Sequence, residues 1–140
     1  MNVLVDTSVW SLALRRPKTA ALTAEQQAYV ATLADLVRAG QALLMGPIRQ
    51  ELLCGIRQQA QFDALRAALD GFGDVRLTRS DYELAAQSFN TCRAQGIQGS
   101  NTDFLICAVA INHGLSILST DGDFANYQQC LPIQIVKPQR

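Results

Sequence analysis

Short apolar runs alternate with longer stretches of helical periodicity along this 140-residue chain. That alternation restricts it to an α/β fold: a parallel sheet covered by helices on both faces. The runs suited to a sheet interior are Asn2 to Val5, Ala42 to Met45, Val75 to Leu77, Ser116 to Leu118 and Ile133 to Val136, the last ended by Pro138. Between them, Tyr29, Leu33, Leu36 and Val37 form one helical stripe, Phe62, Leu65 and Leu69 another, and Tyr82, Ala85, Phe89 and Cys92 a further one. Thr23 with Gln26, Ser80 with Glu83, and Ser100 with Asp103 have capping-box spacing, and Pro47 sits in the first turn of a helix after Gly46. Gly40, Gly55, Gly96 and Gly114 follow the last periodic residues and mark the stops. The length fits one core, with no linker or repeat, so residues 1–140 are expected to form a single domain.

Carboxylates stand where such a sheet keeps its working edge. "NVLVDTSVW" runs from Val3, Leu4 and Val5 straight into Asp6, and "LSILSTDGDF" ends an apolar run in Asp121 and Asp123. In open α/β sheets, sites gather at the carboxyl ends of the strands. Asp6 and Asp121 come together there if the first and fourth runs are neighbours, as right-handed crossovers from a central first strand permit. Asp103 opens a helix, "FLICAVAI", that is apolar all round and so pressed against other elements. It reaches the same edge only if that helix starts on the same side, which topology leaves open. An antiparallel return would put the helix start at the opposite end unless the helix lies across the sheet. Glu51, one turn after Ile48, is expected on the inward side of its helix.

Two carboxylates at about 4 Å repel by on the order of 4 kcal/mol at an effective dielectric near 20. Protons or a divalent cation must offset that, and an all-oxygen donor set without histidine favours Mg²⁺ or Mn²⁺ over Zn²⁺. A cation so held activates water and stabilises charge on a phosphodiester, which points to a metal-dependent phosphodiesterase. Each acid also has a plain account. Asp6 can be a turn acid, Glu51 a solvated helix acid, Asp103 a cap partner, and Asp121 with Asp123 a turn pair. Jointly those accounts leave unexplained why acids follow buried runs twice.

Composition narrows the remaining classes. Hydrophobic residues at 49% and charged residues at 17% describe a compact soluble chain. Twelve basic and twelve acidic residues cancel, so no overall field draws in nucleic acid, and binding must rely on a local patch or a metal. Cys54, Cys92, Cys107 and Cys130 lie far apart in apolar stretches, which suits core thiols in a reducing compartment. The amino terminus has no basic start, and no apolar run approaches the roughly 20 residues that span a bilayer. A cytoplasmic location, away from membranes, is the expectation. His113, beside Gly114, suits a helix end. Trp10 and Leu14 read as core, with an apolar edge there as a second possibility.

The segments "LVDTSVW", "GPIRQELLCGI", "SNTDFLICAVAINHG" and "LSILSTDGDF", in this order and spacing, resemble the PIN domain, and the whole chain resembles VapC-type toxin ribonucleases of bacterial toxin–antitoxin pairs. The resemblance implies a three-layer α/β/α sandwich around a parallel sheet, here of about five strands. It further implies metal-dependent endoribonuclease activity with Mg²⁺ or Mn²⁺, on a structured RNA such as tRNA or rRNA, a VapB-like antitoxin partner, and a homodimer. The family's acidic quartet falls on Asp6, Glu51, Asp103 and Asp121, and Asp123 matches a frequent extra acid that helps hold metal. Ser8 corresponds to a small polar residue that orients the first acid or metal-bound water, with Thr7 and Thr120 assisting. The resemblance also puts Asp103 at the site. With five of the twelve acids assigned there, the rest of the surface is net positive. Arg15, Arg16 and Lys18 form the best phosphate-contact patch, followed by Arg49 and Arg57.

Rival classes fit less well. A phosphorylated receiver domain wants an acidic pair after the first strand and a lysine late in the chain, where the lysines are Lys18 and Lys137. A dinucleotide-binding module wants a glycine-rich turn where this chain has "DTSVW". A PIN-like domain that binds RNA without cutting it is the alternative that survives.

Overall fold

A computed structural model describes residues 1–16 and 21–139. In chain order the elements are β1 (Val3–Val5), α1 (Thr7–Leu14), α2 (Ala24–Arg38), β2 (Ala42–Met45), α3 (Gly46–Leu53), α4 (Gln59–Leu69), β3 (Gly73–Val75), α5 (Arg79–Ala94), α6 (Asn101–His113), β4 (Ser116–Leu118) and α7 (Asp123–Tyr127). The strands form one parallel sheet in the order β3-β2-β1-β4, flanked by helices. Central β1 is wholly buried, as expected of a run with no polar face. Its partner β4 runs in register from Val3 opposite Ser116 to Val5 opposite Leu118. The two strands therefore end side by side, and the Asp6 backbone N–H donating to the Leu118 carbonyl at 2.9 Å carries the pairing one residue further.

The sheet has four strands rather than five. Ile133 to Val136 makes only a single parallel bridge, Ile135 opposite Ile117. Its backbone explains this: Ile133 N–H turns back to the Leu131 carbonyl, and Pro132 and Pro138 on either side supply no donor. β3 also lies two residues earlier than expected: Gly73, Asp74 and Val75 pair with Leu43, Leu44 and Met45, and a Cβ at Gly73 would come within 3.2 Å of the Leu43 side chain.

Helix boundaries follow the caps. Thr23 and Gln26 form the expected reciprocal box. The box that opens α5, however, is Thr78 with Asp81, not Ser80 with Glu83. Asp81 is fully buried, and its carboxylate also accepts from Asn112 at 2.9 Å and lies 3.1 Å from His113 Nε2, so α6 holds α5 in this register. Within the expected α5 stripe, Cys92 is buried and Phe89 partly so, while Tyr82 stands 54% exposed. Gly40, Gly55, Gly96 and Gly114 all take positive φ, the left-handed geometry that ends a helix most cheaply with glycine.

The core gathers Trp10, Phe104, Phe124, Tyr127 and the strand residues around α6, which is buried from Phe104 through Ala110. Trp10 is interior, donating Nε1–H to the Val5 carbonyl at 3.0 Å and packing on Phe72 with centroids 4.6 Å apart. The cysteines depart from the core-thiol expectation. Cys107 is a buried free thiol and Cys54 an exposed one, but Cys92 and Cys130 are joined in a disulfide between the end of α5 and the segment after α7. They are 38 residues apart in sequence, so local patterning carries no sign of the pairing. Among the described residues, no helix is long and apolar enough to cross a membrane.

Candidate metal centre

The edge where β1 and β4 end is assembled by serine hydroxyls. Asp6, 8% exposed, accepts on one oxygen, Oδ2, from Ser8 Oγ at 2.8 Å and Ser119 Oγ at 2.7 Å. Those same hydroxyl oxygens accept from the next loop: Ser8 from the Thr120 backbone N–H at 3.1 Å, Ser119 from that of Asp121 at 3.0 Å. Each hydroxyl has a single proton, and both protons go to Asp6, so the 3.4 Å contact between the two serines carries no bond of its own. In this way the Asp6 carboxylate is desolvated yet satisfied, and it fixes the loop bearing Asp121.

Asp103 arrives from α6. That helix ends just before β4 begins and runs back along the strand, so its start stands at the strand's carboxyl end. The antiparallel return therefore brings Asp103 to the site instead of carrying it away. Ser100 caps the helix by accepting from the Asp103 backbone N–H at 3.1 Å, and the Asp103 carboxylate does not complete the box. Instead its Oδ2 accepts from the Tyr127 hydroxyl at 2.6 Å. Asp121, exposed, accepts on Oδ1 from the Asp123 backbone N–H at 2.9 Å, which opens the short α7. One carboxylate oxygen from each of Asp103, Asp121 and Asp123 lies within 4.8 Å of the others. Among the described residues, no arginine, lysine or histidine forms an ion pair with this trio.

The electrostatics follow from that crowding. Burial raises the Asp103 carboxyl above its ordinary range, the Tyr127 bond pulls it down, and the charges of Asp6 and Asp121 push it up again. Burial, then the bond to Asp103 and its charge, pushes the Tyr127 phenol upward, so it remains a donor. Burial likewise pushes the Cys107 thiol up to about 12, with the Asp103 charge adding to it, and the thiol is not part of the group of close ligand atoms. The donor set is oxygen throughout.

The remaining expected residues are placed as follows. Asp6 adjoins the trio through Ser119 and through its charge on Asp103, but is not within the trio's ligand spacing. Glu51 lies outside it too, and it is exposed; Ile48 and Leu52 define the inward side of α3, leaving Glu51 on the flank. Glu51 is still tied to the edge, since its Oε1 accepts from Thr7 Oγ1 at 2.7 Å, next in the chain to Asp6. Thr120 contributes its backbone N–H. Arg15 donates to the Cys54 carbonyl at 3.3 Å and lines a groove with Arg57, Arg16 is exposed, and Lys18 lies outside the described residues. Arg49 is committed to Asp74 at 2.9 Å and Asp70 at 3.5 Å, which removes it as a free phosphate contact. Ser119 and Tyr127 are the groups that sequence reasoning missed. Ser119 was signalled only by its place between an apolar run and Asp121, and Tyr127 by an aromatic one turn beyond Asp123.

A parallel sheet with acids crowded where the neighbouring strands β1 and β4 end defines the class, and residues 3–129 match the PIN domain family model: the chain belongs to the PIN domain family. In shape it is similar to several solved proteins. FitAcB from Neisseria gonorrhoeae is 19% identical with a TM-score of 0.71, covering 97% of each chain. VapBC2 from Rickettsia felis, solved bound to a promoter DNA fragment, is 13% identical with a TM-score of 0.75, covering 97% of this chain and 98% of that one. VapC20 of Mycobacterium tuberculosis, a toxin that cleaves the sarcin–ricin loop, is 20% identical with a TM-score of 0.67, covering 98% of this chain and all of that one. No curated protein matches the sequence.

Proposed function

We propose that this chain, as a single PIN domain over residues 1–140, is a metal-dependent endoribonuclease that acts as the toxin of a toxin–antitoxin pair. The observation that carries the reading is the trio of Asp103, Asp121 and Asp123 oxygens within 4.8 Å, with the Asp6 charge beside them and no cationic side chain of the described residues to neutralise them. Such a set suits Mg²⁺ or Mn²⁺, hard cations that take carboxylate oxygens. A divalent ion bound there supplies an acidified water and offsets charge on the scissile phosphate.

The chain's own residues do the rest. Asp103, Asp121 and Asp123 hold the ion, with Asp6 and Glu51 completing the acidic edge as further ligands or through water. Ser8 and Ser119 keep the Asp6 carboxylate in one rotation, Thr7 steadies Glu51, and Thr120 anchors Ser8 through its backbone. Arg15 and Arg16, just past the end of α1, contact RNA phosphates together with Lys18. The substrate is a structured RNA, tRNA or rRNA, as the sarcin–ricin activity of VapC20 suggests by likeness of fold. A VapB-like antitoxin blocks the site, the active unit is a homodimer, and the protein works in the cytoplasm; the toxin–antitoxin complexes among its structural neighbours support the partner.

The test is cleavage of total RNA by purified, antitoxin-free protein with Mg²⁺, Mn²⁺ or chelator, alongside Asp6→Asn. Discrete fragments that require metal and vanish in the variant are expected. RNA binding without metal-dependent cutting, in a folded and metal-loaded protein, would replace this reading with that of a non-cleaving RNA-binding domain.

A further inference from the structure

Tyr127 is wholly buried, and a buried phenol needs a partner for its hydroxyl. Here the partner is the carboxylate of Asp103, 2.6 Å away, the short distance of a charge-assisted bond. The surroundings allow the ring one position. Phe104 and Phe124 pack against it with centroids at 4.9 and 5.3 Å, and the Tyr127 carbonyl accepts from the Cys130 backbone N–H, whose side chain is linked to Cys92 on α5. Space for the hydroxyl is made by Gly99, where a Cβ would overlap the Tyr127 oxygen and ring. That glycine has no positive φ to require it, so the close approach of the phenol is the reason for it. One short helix, α7, thus carries Asp123 at its start and the group that grips Asp103 at its end.

We propose that Tyr127 is a positioning residue for Asp103: its hydroxyl fixes the rotation of that carboxylate toward Asp121 and Asp123, setting the affinity of the trio for a divalent ion. The inference rests on the metal-site reading above and deepens it. Partners that orient a ligand typically contribute 10- to 100-fold in metal affinity or activity, and with a single neutral donor the effect here is about 10-fold.

The experiment is calorimetric titration of Mn²⁺ into the full chain as wild type, Tyr127→Phe, Asp103→Ala and the double variant. Tyr127→Phe keeps the buried ring and is expected to weaken Mn²⁺ binding about 10-fold. Asp103→Ala should weaken it more, and Tyr127→Phe should add nothing in the Asp103→Ala background. Gly99→Ala, which displaces the phenol without deleting it, should reproduce the loss, giving a route to the same answer that keeps the hydroxyl. RNA cleavage by Tyr127→Phe should fall in kcat with KM held. Wild-type affinity in Tyr127→Phe, with Asp103→Ala impaired, would overturn the positioning role and leave the metal site standing. Equal losses for Tyr127→Phe with and without Asp103 would overturn it as well, since the hydroxyl would then act by another route. A wild type that binds no Mn²⁺ would overturn both.

Discussion

The two ends of α6 treat carboxylate charge in opposite ways. At its carboxyl end, Asp81 of α5 is fully enclosed and fully answered, by the Thr78 N–H, the Asn112 amide and the His113 imidazole. Burial alone would raise its carboxyl, yet the donors of Asn112 and Thr78, and then His113, hold it below the usual carboxylate range. At its amino end, Asp103 meets further carboxylates, and its carboxyl is raised. One helix thus carries a finished polar cluster that fastens α5 to α6 and an acidic one that no cationic side chain of the described residues pairs with. Fold stability belongs to the first end, and function is assigned to the second.

The sharpest way to break this contrast is to neutralise an acid at each end. Asp121→Asn should cost cleavage on the order of 100-fold or more, as loss of several kcal/mol of metal-based stabilisation implies. The metal-free variant should be as stable as wild type or more so, because repulsion is relieved; urea unfolding in chelator reads this directly. Asp81→Ala should do the reverse, losing about 2 kcal/mol of stability by removing the acceptor that three part-buried donors share, with cleavage per folded molecule retained. Equal stability losses at both ends would erase the distinction.

Acid sharpens it. Because the folded-state carboxyl of Asp81 lies below its unfolded value, its contribution is fully present above about pH 4 and disappears as pH falls through the folded value. Stability of the wild type should therefore drop on acidification more steeply than that of Asp81→Asn, as followed by circular dichroism. The smallest effect is expected at Ser100, whose hydroxyl caps α6 at the site end. Ser100→Ala should cost about 1 kcal/mol of stability, in thermal or urea melts.

Much of the site was legible because chemistry and burial collide in the sequence. Asp6 and Asp121 interrupt apolar runs that register side by side, Val5 opposite Leu118, so the strand pairing itself brings their loops together. Glu51 is less legible: it lies on the flank of α3 and not on its inward side, because a position three after Ile48 lies beside the buried stripe, whose centre is set by Leu52. Ser119, Tyr127 and the Cys92–Cys130 link were not legible. Each takes its meaning from a partner more than twenty residues away, and neither a hydroxyl nor an isolated aromatic or cysteine announces one. The shifted cap of α5 has the same origin: Asp81 outcompetes Glu83 for the box because α6 supplies two more partners for it.

The most direct test of the central claim is thermal unfolding of wild type and Asp121→Asn, with chelator and with excess Mg²⁺ or Mn²⁺. At a metal concentration 100 times its dissociation constant, wild type should gain about 2.7 kcal/mol. Asp121→Asn should start at least as stable without metal and gain far less with it. Unfolding of the wild type that is indifferent to both ions, or a metal gain that survives intact in Asp121→Asn, would contradict the assignment of this acidic edge as a metal centre.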